Sequence, residues 1–346
     1  MGRKYRIGVM PGDGVGPEVV GVAVRVLREL LPEAELVEIG AGYEFMKRTG
    51  KPLEDGALDV IRSVDAVIKG PLATPPGPGT IKSINVYLRR ELGLYANVRP
   101  FRSFRGISLG EFDFVIVREN TEGLYSGVEG RAGDAAFAVR VVTRRGCERV
   151  VEFALSYAAR RGYARVTAVH KANILKETDG LFREVFFDAA RRYPGIWADE
   201  MYVDAAAYSL VRDPGSFGVI VTPNLYGDIL SDEAAALVGS LGLCGSAQIG
   251  DDAAIFEPVH GTAPDIAGKR IANPAGELTA LALMLEYMGE RRGDRRLVAI
   301  SRALSEAIRR VIEGRKALTP DLGGTSTTDS FGETVLSEVK TLLGQG

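Results

Sequence analysis

Cysteine and histidine are scarce in this sequence, two of each among 346 residues. Cys147 and Cys244 stand far apart and outside any metal-ligand spacing. They read as buried thiols of a reducing compartment, and a His-rich zinc site is excluded. An excess of one charge is also missing: 43 Lys and Arg stand against 45 Asp and Glu. No global basic field is available to draw nucleic acid, and Arg144-Arg145 and Arg291-Arg292 read as solvated faces. Long apolar runs are absent too. The longest, "AAALVGSLGLCG" (234–245), is too short to span a bilayer. "MGRKYRIGVMPGDG" has neither the apolar core of a signal peptide nor the Ser or Thr of a myristoylation signal. Hydrophobic content of 46% and charged content of 25% are ordinary for a soluble enzyme. A cytoplasmic protein of one large domain or two ordinary ones is expected.

What is present alternates. "KYRIGVM" (4–10) reads as a buried strand, then a glycine-rich turn, then a helix opening near Pro17. "DAVIKG" (65–70), "FDFVIV" (112–117), "ARVTAVH" (164–170) and "FGVIV" (217–221) are short β-branched runs. Helical patterns at 148–161, 178–192 and 226–238 lie between them. Strands alternating with helices predict an α/β fold with much parallel sheet. Residues 120–143, with glycines and short alternating runs, read as a hairpin-like excursion.

Several stretches carry possible chemistry. "PGDGVGPE" (11–18) has the spacing G-x-G-x-G and not the dinucleotide fingerprint, so a plain strand-to-helix turn is the favoured reading. "NLYGDILSDEAA" (224–235) puts Asp228 and Asp232 on one helix face, where repulsion is relieved if a cation sits between them. Oxygen ligands suit Mg²⁺ or Mn²⁺; a solvated acidic face is the alternative. Asp204 ends the strand-like "EMYVD" (200–204), where α/β proteins place ligands. Lys171, in "VHKANIL", follows a strand end and suits proton transfer if partly buried, or is an ordinary surface lysine. "VRENTEGLYSG" (117–127) offers Arg118 and Tyr125 after another strand end, with Tyr125 a possible proton donor or a core tyrosine. "FEPVHGTAPDIAGKRIANP" (256–274) reads as a long loop whose small residues permit close approach to a flat ligand, with Asp265 placed to accept ribose hydroxyls. "TIKSINVYLRRELGLYANVRP" (80–100) puts Ser83, Asn85 and Arg89 at the start of a helix that is expected to bury Ile84, Val86, Leu88 and Leu92, with Arg99 beyond it.

Taken together, these motifs resemble the β-decarboxylating dehydrogenase family, which contains isocitrate, 3-isopropylmalate, homoisocitrate and tartrate dehydrogenases. The resemblance runs from "PGDGVGPE" to "TPDLGGTSTT" (319–328), and its specificity lies in the combination. It implies a fold that is not a standard Rossmann fold. A large α/β domain, near 1–94 and 239–346, would bind cofactor. A smaller dimerising domain, near 95–238, would carry an intersubunit arm at 120–143. The resemblance makes Arg89, Arg99 and Arg118 a substrate-carboxylate clamp, which suits their bidentate guanidinium forks. It makes Asp204, Asp228 and Asp232 ligands of Mg²⁺ or Mn²⁺, and Tyr125 and Lys171 the proton-transfer pair. Within one site Asp204 and Lys171 would come from the neighbouring subunit, so the implied enzyme is at least a dimer, possibly a tetramer.

The resemblance also moves the cofactor from the glycine-rich turn to the 256–274 loop. Thr74, Glu257, His260, Gly261, Thr262, Ala263, Asp265, Ile266 and Asn273 are the implied NAD contacts. NADP-dependent relatives carry a lysine–tyrosine pair where this chain has Asp265 and Ile266. An aspartate there favours ribose hydroxyls and repels a 2′-phosphate. At the substrate's variable group, S-x-N-x-x-x-R resembles isocitrate dehydrogenases. Ser83 at a helix N-cap and Asn85, four before Arg89, would receive a third carboxylate. In the plainer reading Ser83 only caps and Asn85 is solvated. The proline-rich "ATPPGPGTIKS" (73–83) sets the register of Ser83. The expected activity is NAD-dependent oxidative decarboxylation of isocitrate. Homoisocitrate or 3-isopropylmalate dehydrogenase is the alternative, and a non-catalytic regulatory subunit a remote one. The arginine-rich, lysine-poor balance hints at a thermophile, as codon bias also would.

Overall fold

A computed structural model describes residues 4–75 and 83–344 of the chain. Its twelve strands are β1 (Arg6–Met10), β2 (Glu35–Glu38), β3 (Ala66–Lys69), β4 (Ala96–Arg102), β5 (Asp113–Glu119) and β6 (Glu129–Ala132), then β7 (Ala135–Ala138), β8 (Arg165–His170), β9 (Trp197–Tyr202), β10 (Val219–Thr222), β11 (Gly245–Ile249) and β12 (Ala254–Pro258). The helices are α1 (Gly16–Leu30), α2 (Tyr43–Thr49), α3 (Ala57–Ser63), α4 (Ile84–Glu91), α5 (Arg144–Arg161) and α6 (Thr178–Ala190), then α7 (Val203–Arg212), α8 (Asn224–Val238), α9 (Ala275–Arg292), α10 (Arg295–Glu313) and α11 (Thr328–Leu342).

Ten strands form one sheet in the order β2-β1-β3-β12-β11-β4-β5-β10-β8-β9. Strands from the two chain ends occupy one side and strands from the middle of the chain the other, meeting at β11 and β4. The flanks are parallel and the centre, β12-β11-β4-β5, is antiparallel. Wholly buried runs such as "VIVT" in β10 fit strands covered on both faces. Helices α5 and α8 pack on β5 and β10, and α9 packs on β3, β11 and β12. Residues 129–138 form the separate β6–β7 hairpin, carrying an exposed Phe137.

Three expectations need correction. The helix expected over 148–161 begins at Arg144, because the Thr143 hydroxyl accepts from Gly146 N at 3.0 Å and caps it earlier. The 256–274 segment is not loop throughout: Ala254–Pro258 is strand β12, and the loop begins at Val259. Asp204 does not end a strand. Strand β9 stops at Tyr202, and the alanine-rich "VDAAAYSLVR" turns into α7, with Asp204 in its first turn.

Candidate active site

Sheet register gathers the charged residues. Asn97 of β4 pairs with Arg118 of β5 and with Gln248 of β11. Directly paired residues, and residues two apart on one strand, share a face. Arg99, Asn97, Arg118, Gln248 and Glu257 therefore form one polar stripe across the sheet centre. The β12–β3 register, Ile255 with Val67, carries the stripe on to Lys69. Arg89 joins it from α4.

Helix α8 covers part of this stripe with Asn224, Asp228, Ser231 and Asp232, spaced to lie on one face. The close approach depends on Gly227, where a Cβ would stand 2.6 Å from Arg118 Cγ. Arg118, wholly buried, donates from Nε and Nη2 to Asn224 Oδ1 at 3.0 and 2.7 Å, and its Nη1 pairs with Asp228. Arg99 donates to Asn97 Oδ1 at 3.2 Å and Ser231 Oγ at 2.5 Å and lies 3.7 Å from Asp228. Arg89 Nε donates to Gln248 Oε1 at 2.7 Å. Tyr125, at the base of the hairpin, donates its hydroxyl to Asp228 Oδ2, with the Arg118 guanidinium 5.1 Å from its ring centroid.

The electrostatics suit an anion. Burial first, and Arg118 next, push Arg89 and Arg99 down to about 10. The three guanidinium groups repel one another, and a bound carboxylate would relieve that repulsion. Burial works to raise the Asp228 carboxyl, but Arg118 and Arg99 prevail and hold it low. Asp232 stands at the open rim; partial desolvation raises its carboxyl against the pull of Arg99. Burial and the Asp228 hydrogen bond raise the Tyr125 phenol.

At the mouth, Ser83 caps α4, its hydroxyl accepting from Val86 N at 3.4 Å. Asn85 Oδ1 is buried and meets no hydrogen-bond donor of the described residues. Ile84 and Leu88 are buried as expected, whereas Val86 is only half-buried. Most of the preceding proline-rich loop, 76–82, lies outside the described residues.

Lys171 and Asp204 stand apart from this cluster. Lys171 follows β8, its backbone N–H donating to buried Asp179 at 2.7 Å. Its ammonium group pairs with Asp204, whose carboxyl that bond holds low. Asp204 is exposed. Among the described residues no three His, Cys, Asp or Glu side chains converge as a metal site, so Asp204 does not meet Asp228 and Asp232 within one chain.

A cavity of about 590 Å³ opens between the glycine-rich turn, "GPLAT" and the loop after β12, lined by Asp13, Gly14, Thr74, Thr262 and Ala267 among others. The turn is structural: Asp13 accepts from Tyr43 N, Glu44 N and Ala73 N at 2.8–2.9 Å. Val15 N donates to Thr262 O at 2.9 Å, and a Cβ on Gly14 would collide with that oxygen. Gly261, Ala263 and Asp265 are exposed on the loop, while Ile266 packs against Val15, Val19 and Ala272. His260 Nε2 is buried and meets no partner among the described residues. Two implied cofactor contacts are already engaged. Asn273 caps Ala275 N and donates to Asp321, both at 3.0 Å. Glu257 lies in β12, ion-paired with Lys69 and 3.8 Å from Arg89. Lys69, Asn97, Gln248 and Asn224 escaped the sequence reading. The lone lysine ending the buried run "DAVIK" was the one visible signal.

A central antiparallel seam inside a largely parallel sheet, with buried arginines facing paired aspartates, gives this α/β fold a pocket suited to an anionic ligand. The chain belongs to the isocitrate/isopropylmalate dehydrogenase family, whose pattern matches residues 6–335; this is a family of metal-dependent β-decarboxylating dehydrogenases. It is 42% identical over 354 aligned positions to the homoisocitrate dehydrogenase of Methanocaldococcus jannaschii, covering 98% of this chain and 99% of the relative. It is 45% identical over 335 to the 3-isopropylmalate dehydrogenase of Archaeoglobus fulgidus, covering 96% and 98%. The crystal structure of isocitrate dehydrogenase from Methylococcus capsulatus superposes with a TM-score of 0.90 at 45% identity, covering 97% of this chain and 99% of that one. Among the described residues no helix is long and apolar enough to cross a membrane.

Proposed function

We propose that the chain oxidises isocitrate with NAD and decarboxylates the product to 2-oxoglutarate and CO₂. The observation that carries the substrate is the mouth of the arginine pocket. Ser83 caps α4, and half-buried Asn85, whose Oδ1 meets no donor among the described residues, lies one turn before Arg89. The N-terminal turn of α4, the Ser83 O–H and the Asn85 amide N–H₂ suit a third carboxylate and suit a branched alkyl group poorly.

In this reading Arg89, Arg99 and Arg118 hold two carboxylates and fix the substrate against rotation. Asp228 and Asp232 hold Mg²⁺ or Mn²⁺ together with Asp204 from a second copy of the chain. The carboxylate of Asp232, which meets no partner among the described residues and lies one turn from Asp228, fits a hard cation. A bound ion would supply Lewis acidity at the substrate hydroxyl, and a bound NAD would supply the hydride acceptor. Lys171 of the second copy, in contact with Asp204, takes the hydroxyl proton. Tyr125 returns a proton to carbon after CO₂ leaves; its raised phenol keeps that proton at neutral pH. The cavity beside Thr74 and Thr262 receives the cofactor, and exposed Asp265 selects NAD over NADP. The two halves of the sheet act as two domains, 1–94 with 239–346 and 95–238, with the 120–143 arm reaching the second copy. The working enzyme is then a homodimer, alone or paired into a tetramer.

Homoisocitrate or 3-isopropylmalate as substrate is the second reading, favoured by the names of the relatives above. A regulatory, non-catalytic role fits poorly, since Tyr125, Lys171, Asp204, Asp228 and Asp232 are all present. Initial rates of NADH formation with Mg²⁺ on the three substrates decide. The proposal expects a preference for isocitrate that falls by about 10- to 100-fold in kcat/KM on Ser83→Ala or Asn85→Leu. Preference for either other substrate sinks it while leaving the reaction class intact. Higher kcat/KM with NADP would sink the cofactor assignment.

A further inference from the structure

Helix α9 carries Glu277 in its first turn, wholly buried. No donor of the described residues reaches either carboxylate oxygen. The charged groups that act on it are Lys69 of β3 and Glu257 of β12. The other elements packed on α9, namely β11, α1, α10 and the turn 241–243, contribute none. Lys69 is already committed: its ammonium group pairs with Glu257 and donates to Gly70 O at 2.9 Å. Glu257 accepts from the Gln248 amide, and Gln248 Oε1 in turn accepts from Arg89 Nε at 2.7 Å. One cation thus stands between two acids, and one acid holds all the bonds. A buried ionised carboxylate without a donor is far costlier than a neutral acid, so the charge belongs on Glu257 and a proton on Glu277.

We infer that Glu277 is a positioning residue, an uncharged polar group behind Lys69 that leaves Lys69 committed to Glu257 and so holds Gln248 and Arg89 in place. A second negative charge there would draw the ammonium group away from Glu257. An apolar side chain would leave Lys69 facing hydrocarbon. Either change disturbs Glu257, which accepts from the Gln248 amide and lies 3.8 Å from Arg89, while the Gln248 oxygen keeps its bond from Asn120 at 2.9 Å. The effect on catalysis rests on the proposed role of Arg89 in holding substrate; the charge state of Glu277 does not.

Two measurements test this. Burial raises the Glu277 carboxyl well above its usual 4.5. The folded chain then keeps a proton that the unfolded chain releases above about pH 4.5, so this group lowers stability as pH rises through that window. Melting temperatures of wild type and Glu277→Gln are compared at about pH 5 and about pH 8. The variant is expected to gain on wild type at the higher pH. A difference that stays constant, or moves the other way, overturns the uncharged carboxyl. Kinetics then use whichever of isocitrate, homoisocitrate and 3-isopropylmalate the wild type turns over fastest. Glu277→Leu is expected to raise substrate KM about tenfold with little change in kcat, and Glu277→Gln to stay within about twofold of wild type. Equal KM in all three proteins, or a Gln variant as impaired as Leu, overturns the positioning role. Wild type inactive on all three would sink the proposed function and, with it, the catalytic part of this inference, while the melting comparison still decides the charge state.

Discussion

The arginine cluster and the Lys171–Asp204 pair are built to opposite specifications. Arg89, Arg99 and Arg118 are buried, and each meets at least two side chains from other elements. Lys171 and Asp204 meet each other at the surface, with the Asp204 side chain 68% exposed. A buried pair that loses one member leaves an unpaired charge in a poor solvent; an exposed pair leaves a hydrated one. The first region is therefore finished within one chain. Under the proposed function the second is half of a site completed by another copy.

The largest expected effect breaks the finished half. Arg118→Ala removes one partner of Asp228, which keeps Tyr125 and Arg99, and both donors to the buried Asn224 Oδ1, and should cost about 1–3 kcal/mol in urea unfolding. The same change should lower kcat/KM by about 100-fold or more. Next comes a test of the unfinished half. Tyr125→Phe and Lys171→Met proteins, each nearly inactive, should recover about a quarter of wild-type activity when refolded together, since one site of each mixed dimer is intact. No recovery would mean that every site is complete within one chain.

A smaller effect distinguishes buried charge by pH. Lys69 and Arg89 outweigh burial and hold the Glu257 carboxyl below its usual 4.5. Its contribution to stability is thus fully present above about pH 4.5 and lost as pH falls through the depressed folded value. Glu257→Gln should start less stable and show a shallower acid slope in unfolding free energy between about pH 3 and pH 6. The smallest effect on stability belongs to the exposed pair: Lys171→Met, though nearly inactive, should leave the melting temperature of the single-chain fold unchanged. A clear fall would show that the pair also holds β8 to α7.

Local features were legible in the sequence. The Ser83 cap, the shared face of Asp228 and Asp232 and the α/β alternation each depend on residues a few positions apart. The resemblance then supplied roles for Arg89, Arg99 and Arg118. It could not supply Gln248 or Asn97, which join the site through strand register across β11, β4 and β5. The β4–β5 pairing joins Asn97 to Arg118, 21 residues on, but the β11–β4 pairing joins it to Gln248, 151 residues on, for which no local pattern exists. Asp204 was misplaced because Tyr202 and Val203 favour strand while the alanines that follow favour helix, and the boundary fell between them. Asp13 likewise gave no hint that it would gather backbone N–H groups from two distant segments.

The β3–β12 pairing also constrains how the chain is made. Lys69 meets Glu257 only after most of the polypeptide has been synthesised, since β3 ends at Lys69 and β12 begins at Ala254. At roughly 5–20 residues per second, β3 waits on the order of ten seconds or longer for its neighbour. During that interval β1–β3 present an unpaired edge and the middle strands fold without them. A nascent chain of this architecture needs either protection of that edge or a slow search at the end. Truncation before residue 254 should yield not a weak enzyme but a chain prone to aggregate.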